Sequence, residues 1–127
     1  MKYDFAVLGA DGMQGQIVTR DLLEQGYTVF ASDLYQSKIS NIFEKYGSGR
    51  SVFHWADLRD VAAATEAILK SGADTVVNCA DMYWNVNVYK ACLEAKTHCV
   101  DLGSWIELTR RQLKMDALFK NIKRTAI

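Results

Sequence analysis

Phe5-Ala6-Val7-Leu8-Gly9-Ala10-Asp11-Gly12-Met13-Gln14-Gly15 is the stretch whose reading decides the fold. Its first four residues form an unbroken apolar run, the pattern of a strand buried on both faces of a parallel sheet. The glycines follow at once, spaced G-x-x-G-x-x-G. Asp11 and Gln14 occupy two glycine places of the more familiar G-x-G-x-x-G. The mechanism carries over. Gly9 permits a tight strand-to-helix turn, Gly12 lets backbone approach a phosphate, and Gly15 lets the helix pack close to the sheet. Met13, Ile17, Val18 and Leu22 then recur at helical spacing until Gln25-Gly26 stops the helix. Free amides around Gly12, Met13 and Gln14 at that helix start suit an anion. A strand before the loop and a helix after it are the context a dinucleotide fingerprint requires. No Gly-Lys-Ser/Thr ends the loop, so a P-loop nucleotide hydrolase is excluded.

Outward from the loop, strand and helix signals alternate. Residues 27–31 read as a second strand ending at Ser32-Asp33, and a helix through Ile39, Ile42 and Phe43 closes at Gly47-Ser48-Gly49. Residues 51–55 form a third strand, and Val61, Ala64, Ile68 and Leu69 mark the next helix. Residues 75–79 are the fourth strand, 86–95 a helix and 98–102 the fifth strand. Ser104 and Glu107 have the spacing of a capping box. It opens a helix with an inward stripe of Met115, Leu118, Phe119 and Ile122. The economical architecture is a Rossmann-type doubly wound α/β fold, a parallel sheet between two layers of helices. Thr125-Ala126-Ile127 begins what reads as a sixth strand. The expectation is one Rossmann domain over residues 1–127, truncated from a longer protein.

Open parallel sheets bind ligands beyond the carboxyl ends of their strands, and that rule selects the site residues. The candidates in the loop are Gly9, Asp11, Gly12, Met13, Gln14 and Gly15. Asp33, with Leu34 beside it, ends the second strand about 20 residues beyond the loop, where an acid accepts both adenosine-ribose hydroxyls. A carboxylate there repels a 2′-phosphate and favours NAD over NADP; Lys38 is close enough in sequence to soften the preference, but the favoured reading of it is a solvated surface lysine. The competing role for Asp33 is to cap the helix that follows. Asp57-Leu58 falls at the adenine edge, with capping an equal alternative for Asp57. Asn78-Cys79-Ala80 falls near the nicotinamide-side ribose. Asp11 is the awkward member: it either repels pyrophosphate or competes for the same amides as an N-cap, and the expectation is weakened affinity. Trp55, Tyr83, Trp84 and Trp105 lie at or just past strand ends, a surface to be covered by cofactor or a second domain.

Composition narrows the class. Fifteen basic residues balance fifteen acidic ones among 127, so no net field draws in nucleic acid or an anionic membrane. No apolar run reaches the roughly 20 residues of a membrane span. Met1-Lys2-Tyr3-Asp4 is unlike a signal peptide, and a cytoplasmic protein is expected. Cys79, Cys92 and Cys99 lack CxxC spacing, and His54 and His98 stand apart, so neither a disulfide framework nor a metal site is expected. The chain contains no proline.

The passage Asn85-Val86-Asn87-Val88, Ala91-Cys92-Leu93-Glu94-Ala95, His98-Cys99-Val100-Asp101-Leu102 resembles the N-terminal NAD(P)-binding domain of the saccharopine dehydrogenase-like family. Val7-Leu8-Gly9-Ala10 and the strand 74–80 are similar to that family as well. Asp81-Met82 departs from its usual Ala-Pro or Pro-Pro, and Cys99 from a common tyrosine. The resemblance implies an oxidoreductase acting at an amino-acid carbon–nitrogen bond, of the saccharopine, lysine or carboxynorspermidine type. A further substrate domain would carry homodimerisation, and this domain alone would be inactive. No catalytic residue is assigned; Asp101 is the best-placed titratable group, equally suited to holding backbone. The alternative is a non-catalytic dinucleotide sensor resembling potassium-transport regulatory domains or NmrA-like regulators.

Overall fold

Among the described residues, five short strands carry the apolar runs: β1 (Phe5–Leu8), β2 (Val29–Asp33), β3 (Ser51–Trp55), β4 (Thr75–Asn78) and β5 (His98–Asp101). The structure, a computed structural model, describes residues 1–103 and 105–127. All strand pairs are parallel, in the order β3-β2-β1-β4-β5. Leu8, the last residue of β1, sits opposite Ser32 on one side and Asn78 on the other. The chain therefore leaves β1 in one direction toward β2 and later returns on its other side to β4. That reversal opens a crevice above the carboxyl ends of β1 and β4.

The helices are α1 (Met13–Glu24), α2 (Ile39–Ile42), α3 (Val61–Ser71), α4 (Asn85–Ala95), α5 (Ile106–Leu113) and α6 (Asp116–Asn121). Alternate strand residues feed two cores, as the two-residue period of a strand requires. Val7, Val29 and Ala31 pack with Leu23 and Ile39 beneath α1 and α2. Ala6, Leu8 and Val76 pack with Ile68, Val88 and Cys92 beneath α3 and α4. The Rossmann-type three-layer α/β sandwich expected from the alternation is the fold observed. Among the described residues no helix is long and apolar enough to cross a membrane.

Three of the expected helices differ in detail from the periodicity. The buried line of α1 is Gly15, Thr19 and Leu23, while Met13 and Ile17 face outward, 76% and 58% exposed. Gly15 lies against the loop backbone, and that contact fixes the helix rotation so that positions four apart from it turn inward. The last helix is two, α5 and α6, broken at Lys114-Met115. Phe119 is buried, edge-on to Tyr89 at 5.2 Å, but Leu118 is 55% exposed rather than inward. Leu69 of α3 is likewise exposed. The expected capping box involves Ser104, outside the described residues; Trp105 is the N-cap of α5, and Glu107 pairs with Arg110. The final tripeptide does pair with β5. Cys99 N donates to Thr125 O at 3.0 Å, Ile127 N to Cys99 O at 2.9 Å, and Asp101 N to Ile127 O at 2.9 Å. His98 Nδ1 accepts from Thr125 N at 3.0 Å, a structural task for that imidazole.

Candidate functional site

The three loop glycines do three different jobs. Gly9 has φ +70°, and a Cβ there would sit 2.5 Å from Ala80 N, so the end of β1 lies directly against the chain leaving β4. A Cβ on Gly15 would lie 2.1 Å from Gly9 O and 2.6 Å from Ala10 Cα. The close approach at Gly15 is thus to the loop itself, not to the sheet. Gly12 is different: its φ is an ordinary −71°, and nothing lies nearer an added Cβ than Gly9 O at 3.4 Å. Neither backbone strain nor packing demands glycine at position 12. It borders an open cleft, where a side chain would fill space that a ligand could use.

Gly12 N donates to Gly9 O at 3.3 Å, so this amide closes the turn instead of standing free. Gly12 is also the N-cap of α1 and brings no side chain to it. The amides of Met13, Gln14 and Gly15 therefore open the helix without an intrahelical acceptor. Met13 and Gln14 are exposed at the loop's tip. Their amides and the helix dipole supply what a phosphate needs.

Asp11 stands elsewhere than either expectation put it. It is 8% exposed, and its Oδ1 accepts from Lys38 N at 2.7 Å and Ile39 N at 2.8 Å. The carboxylate caps the start of α2, not α1, and does not line the cleft. Asp11 N in turn donates to Asp33 Oδ2 at 2.9 Å, and Leu34 N donates to Asp33 Oδ1 at 2.6 Å. Asp33 is thus no helix cap; two backbone amides orient its carboxylate at the end of β2. Asp57 does not cap α3, since Asp60 does so through Ala62 N at 2.9 Å. Asp57 holds the Arg59 guanidinium instead, with Nη2 to Oδ2 at 2.6 Å and Nε 3.0 Å from both oxygens. Those bonds hold the Asp57 carboxyl below the ordinary carboxylate range.

Across the crevice, Asn78 is buried. Its Nδ2 donates to Asn85 Oδ1 at 2.9 Å and its Oδ1 accepts from Ala80 N at 3.1 Å. It shapes the turn after β4 without lining the cleft. Cys79 does line it, and burial pushes its thiol up to about 11, so it is a neutral wall rather than a nucleophile. Asp81 Oδ1 accepts from Tyr83 N at 3.0 Å and caps the short turn Met82–Trp84. This is what the departure at Asp81-Met82 builds. Tyr83 and Trp105 meet edge to face at 5.6 Å, with both rings substantially exposed.

The resulting cleft encloses about 380 Å³. Gly9, Gly12, Asp33, Leu34, Asp57, Leu58, Cys79 and Ala80 line it, the glycines anticipated from the loop and the others from strand ends. Ala56, Arg59 and Asp81 also line it and were not singled out as ligand contacts, and Trp84, one of the rings expected to be covered by cofactor or a second domain, lines it too. The strand-end rule could have reached them, since each lies within a few residues of a strand terminus. Met13, Gln14, Gly15, Asp11 and Asn78 stand around the cleft as loop, clasp and support. A larger cleft of about 540 Å³ opens beside β5, between α5, α6 and the final tripeptide, and includes none of these residues.

The comparisons with known proteins point the same way. The family model described as saccharopine dehydrogenase NADP binding domain matches residues 5–127. Apo histidine-tagged saccharopine dehydrogenase (L-Glu forming) from Saccharomyces cerevisiae superposes with a TM-score of 0.76 at 18% identity, over 98% of this chain and 26% of that one. The chain thus spans about a quarter of that enzyme's length. UDP-glucose-4-epimerase from Stenotrophomonas maltophila, solved with NAD and formylated UDP-arabinopyranose, gives 0.67 at 19% identity over 78% of this chain and 36% of that one. AtPrR2 with NADP+ and (+)pinoresinol gives 0.68 at 12% identity, covering 99% and 49%. At these identities the superpositions establish the fold. No curated protein sequence matches the chain.

Proposed function

Since the chain belongs to the family of saccharopine dehydrogenase NADP-binding domains, we propose that it holds the dinucleotide in an oxidoreductase acting on an amino-acid CH–NH bond, of the saccharopine, lysine or carboxynorspermidine type. Gly12 is the observation that carries the binding half of this reading. It is a glycine the fold does not require, at the start of a twelve-residue helix, on the floor of the cleft. The pyrophosphate would lie against Gly12 and the amides of Met13 and Gln14. The adenosine ribose would meet Asp33 and Leu34, and the adenine would lie between Leu58 and Arg59. Cys79 and Ala80 would border the nicotinamide-side ribose. The bound nicotinamide supplies the hydride chemistry. This chain's residues position the cofactor and set the charge around it.

The same geometry favours NAD over NADP. The Asp33 carboxylate is aimed by two amides and cannot easily swing away from a 2′-phosphate. Arg59, a cation lining the cleft, already serves Asp57. The family resemblance over residues 85–101 supports the dehydrogenase assignment above a dinucleotide sensor. Calorimetric titration with NAD, NADH and NADPH tests the reading. Binding of NAD or NADH is expected, weakly and without turnover by this chain alone. A clear preference for NADPH would remove the role given to Asp33, and no binding by any of the three would remove the cofactor reading.

A further inference from the structure

Three groups of Asp11 are committed, each to a different element. Its amide donates to Asp33 Oδ2 at the end of β2, and its carboxylate accepts from Lys38 N and Ile39 N at the start of α2. Its carbonyl accepts from Gln16 Nε2 on α1 at 2.8 Å. Resting on the dinucleotide reading above, we propose that Asp11 is a positioning residue that clasps the phosphate loop to the ribose-binding segment, so that both halves of the cleft engage one ligand in register. A side chain at position 11 of a phosphate loop would be expected to disturb an anion. Here it points away from the cleft, and its charge rests on the first amides of α2. One residue thereby sets the spacing between Gly12, where a pyrophosphate would lie, and Asp33, where a ribose would lie. A ligand that bridges two fixed half-sites gains affinity from their correct separation, whereas a fragment occupying one half-site does not.

This reverses the simplest expectation for the loop, in which removing the carboxylate tightens binding. The test titrates the parent, Asp11→Ala and Asp11→Asn with NAD by calorimetry and with adenosine by NMR. Asp11→Ala should weaken NAD about tenfold while changing adenosine by less than about twofold. Asp11→Asn keeps an oxygen that accepts both amides, and should stay within about threefold of the parent for NAD. Parent-like NAD affinity in Asp11→Ala, or adenosine weakening in step with NAD, would overturn the clasp. So would NAD binding tightened beyond about threefold in Asp11→Asn, because the carboxylate would then be acting on the pyrophosphate. Should Asp11→Ala fail to fold, Asp11→Glu, whose longer side chain displaces the oxygen that accepts the two α2 amides, takes its place with the same expected and overturning results. A parent that binds neither NAD nor NADPH would instead refute the dinucleotide reading on which the clasp depends.

Discussion

The two sides of the cleft are built differently. On the β2–β3 side, carboxylates do the ordering. Asp11 spans the loop and α2, Asp33 takes two amides, and Asp57 grips Arg59. On the β4–β5 side, the amide pair of Asn78 and Asn85 shapes the first turn, Asp81 and Asp101 hold the short turns next to them through Tyr83 N and Gly103 N, and beyond these the surface is aromatic and open. Tyr83, Trp105, Leu102 and Ile106 are 42% to 61% exposed. A side organised by backbone-directed charges is ready for a polar ligand without further folding. A side faced with exposed rings gains by being covered. Under the function proposed above, the first side would recognise the adenosine end, and the reacting end would fall to whatever covers those rings.

The harshest way to break that contrast is to disturb the loop both sides share. Gly15→Ala drives a methyl to 2.1 Å from Gly9 O, a backbone atom that cannot move without opening the loop. A loss of about 3 kcal/mol or more is expected in urea unfolding. Gly12→Ala meets nothing closer than 3.4 Å and should stay within about 0.5 kcal/mol of the parent. Its cost should appear in NAD affinity instead. Equal destabilisation by the two substitutions would mean that Gly12, too, is held by packing.

Asn78→Ala attacks the β4–β5 side alone. It strands Asn85 Oδ1 and Ala80 N in a buried setting, and about 2–3 kcal/mol of stability should go with them. Adenosine binding on the other side should survive under conditions where the variant stays folded. If adenosine and NAD were lost together, the two sides would not be separable.

How much of this was legible beforehand depended on whether a signal was local. The alternation of apolar runs and helical spacing yielded the five strands and their parallel sense, though not their order, because each buried strand shows its pattern within a few residues. The glycine loop and the strand-end residues Asp33, Asp57 and Cys79 followed from that topology. What the sequence concealed was the partner of each polar side chain. Asp11 precedes α1 but caps α2, across 27 residues, and Asp57 yields the cap of α3 to Asp60. The rotation of α1 was hidden for a related reason. Met13 and Ile17 have core-like chemistry, yet Gly15 must face Gly9 O, and that tertiary contact outweighs periodicity.

Asp33→Ala sharpens the comparison on the carboxylate-ordered side. Loss of ribose contacts should weaken NAD about tenfold, and removal of the charge should narrow its advantage over NADP. Paired titrations of parent and variant read both effects. An unchanged NAD-to-NADP ratio would show that Asp33 serves only Asp11 and Leu34.

Asp57→Asn should have the smallest effect, and its pH dependence carries a sign. The Arg59 guanidinium holds the folded-state pKa of Asp57 below the ordinary value of an aspartate carboxyl. The stabilisation is therefore fully present above the unfolded value and is lost as pH falls through the lower, folded one. Melting curves of parent and variant should differ slightly at neutral pH, because the Arg59 end of the pair is exposed to solvent, and converge in strong acid, where the carboxylate is protonated. The larger consequence concerns Arg59. Freed from its partner, a guanidinium lining the cleft near Asp33 becomes available to a 2′-phosphate, and NADP should gain about two- to threefold relative to NAD. If the ratio holds while the melting curves shift as described, Asp57 steadies Arg59 without governing what the carboxylate-ordered side accepts, and Asp33 alone sets the preference.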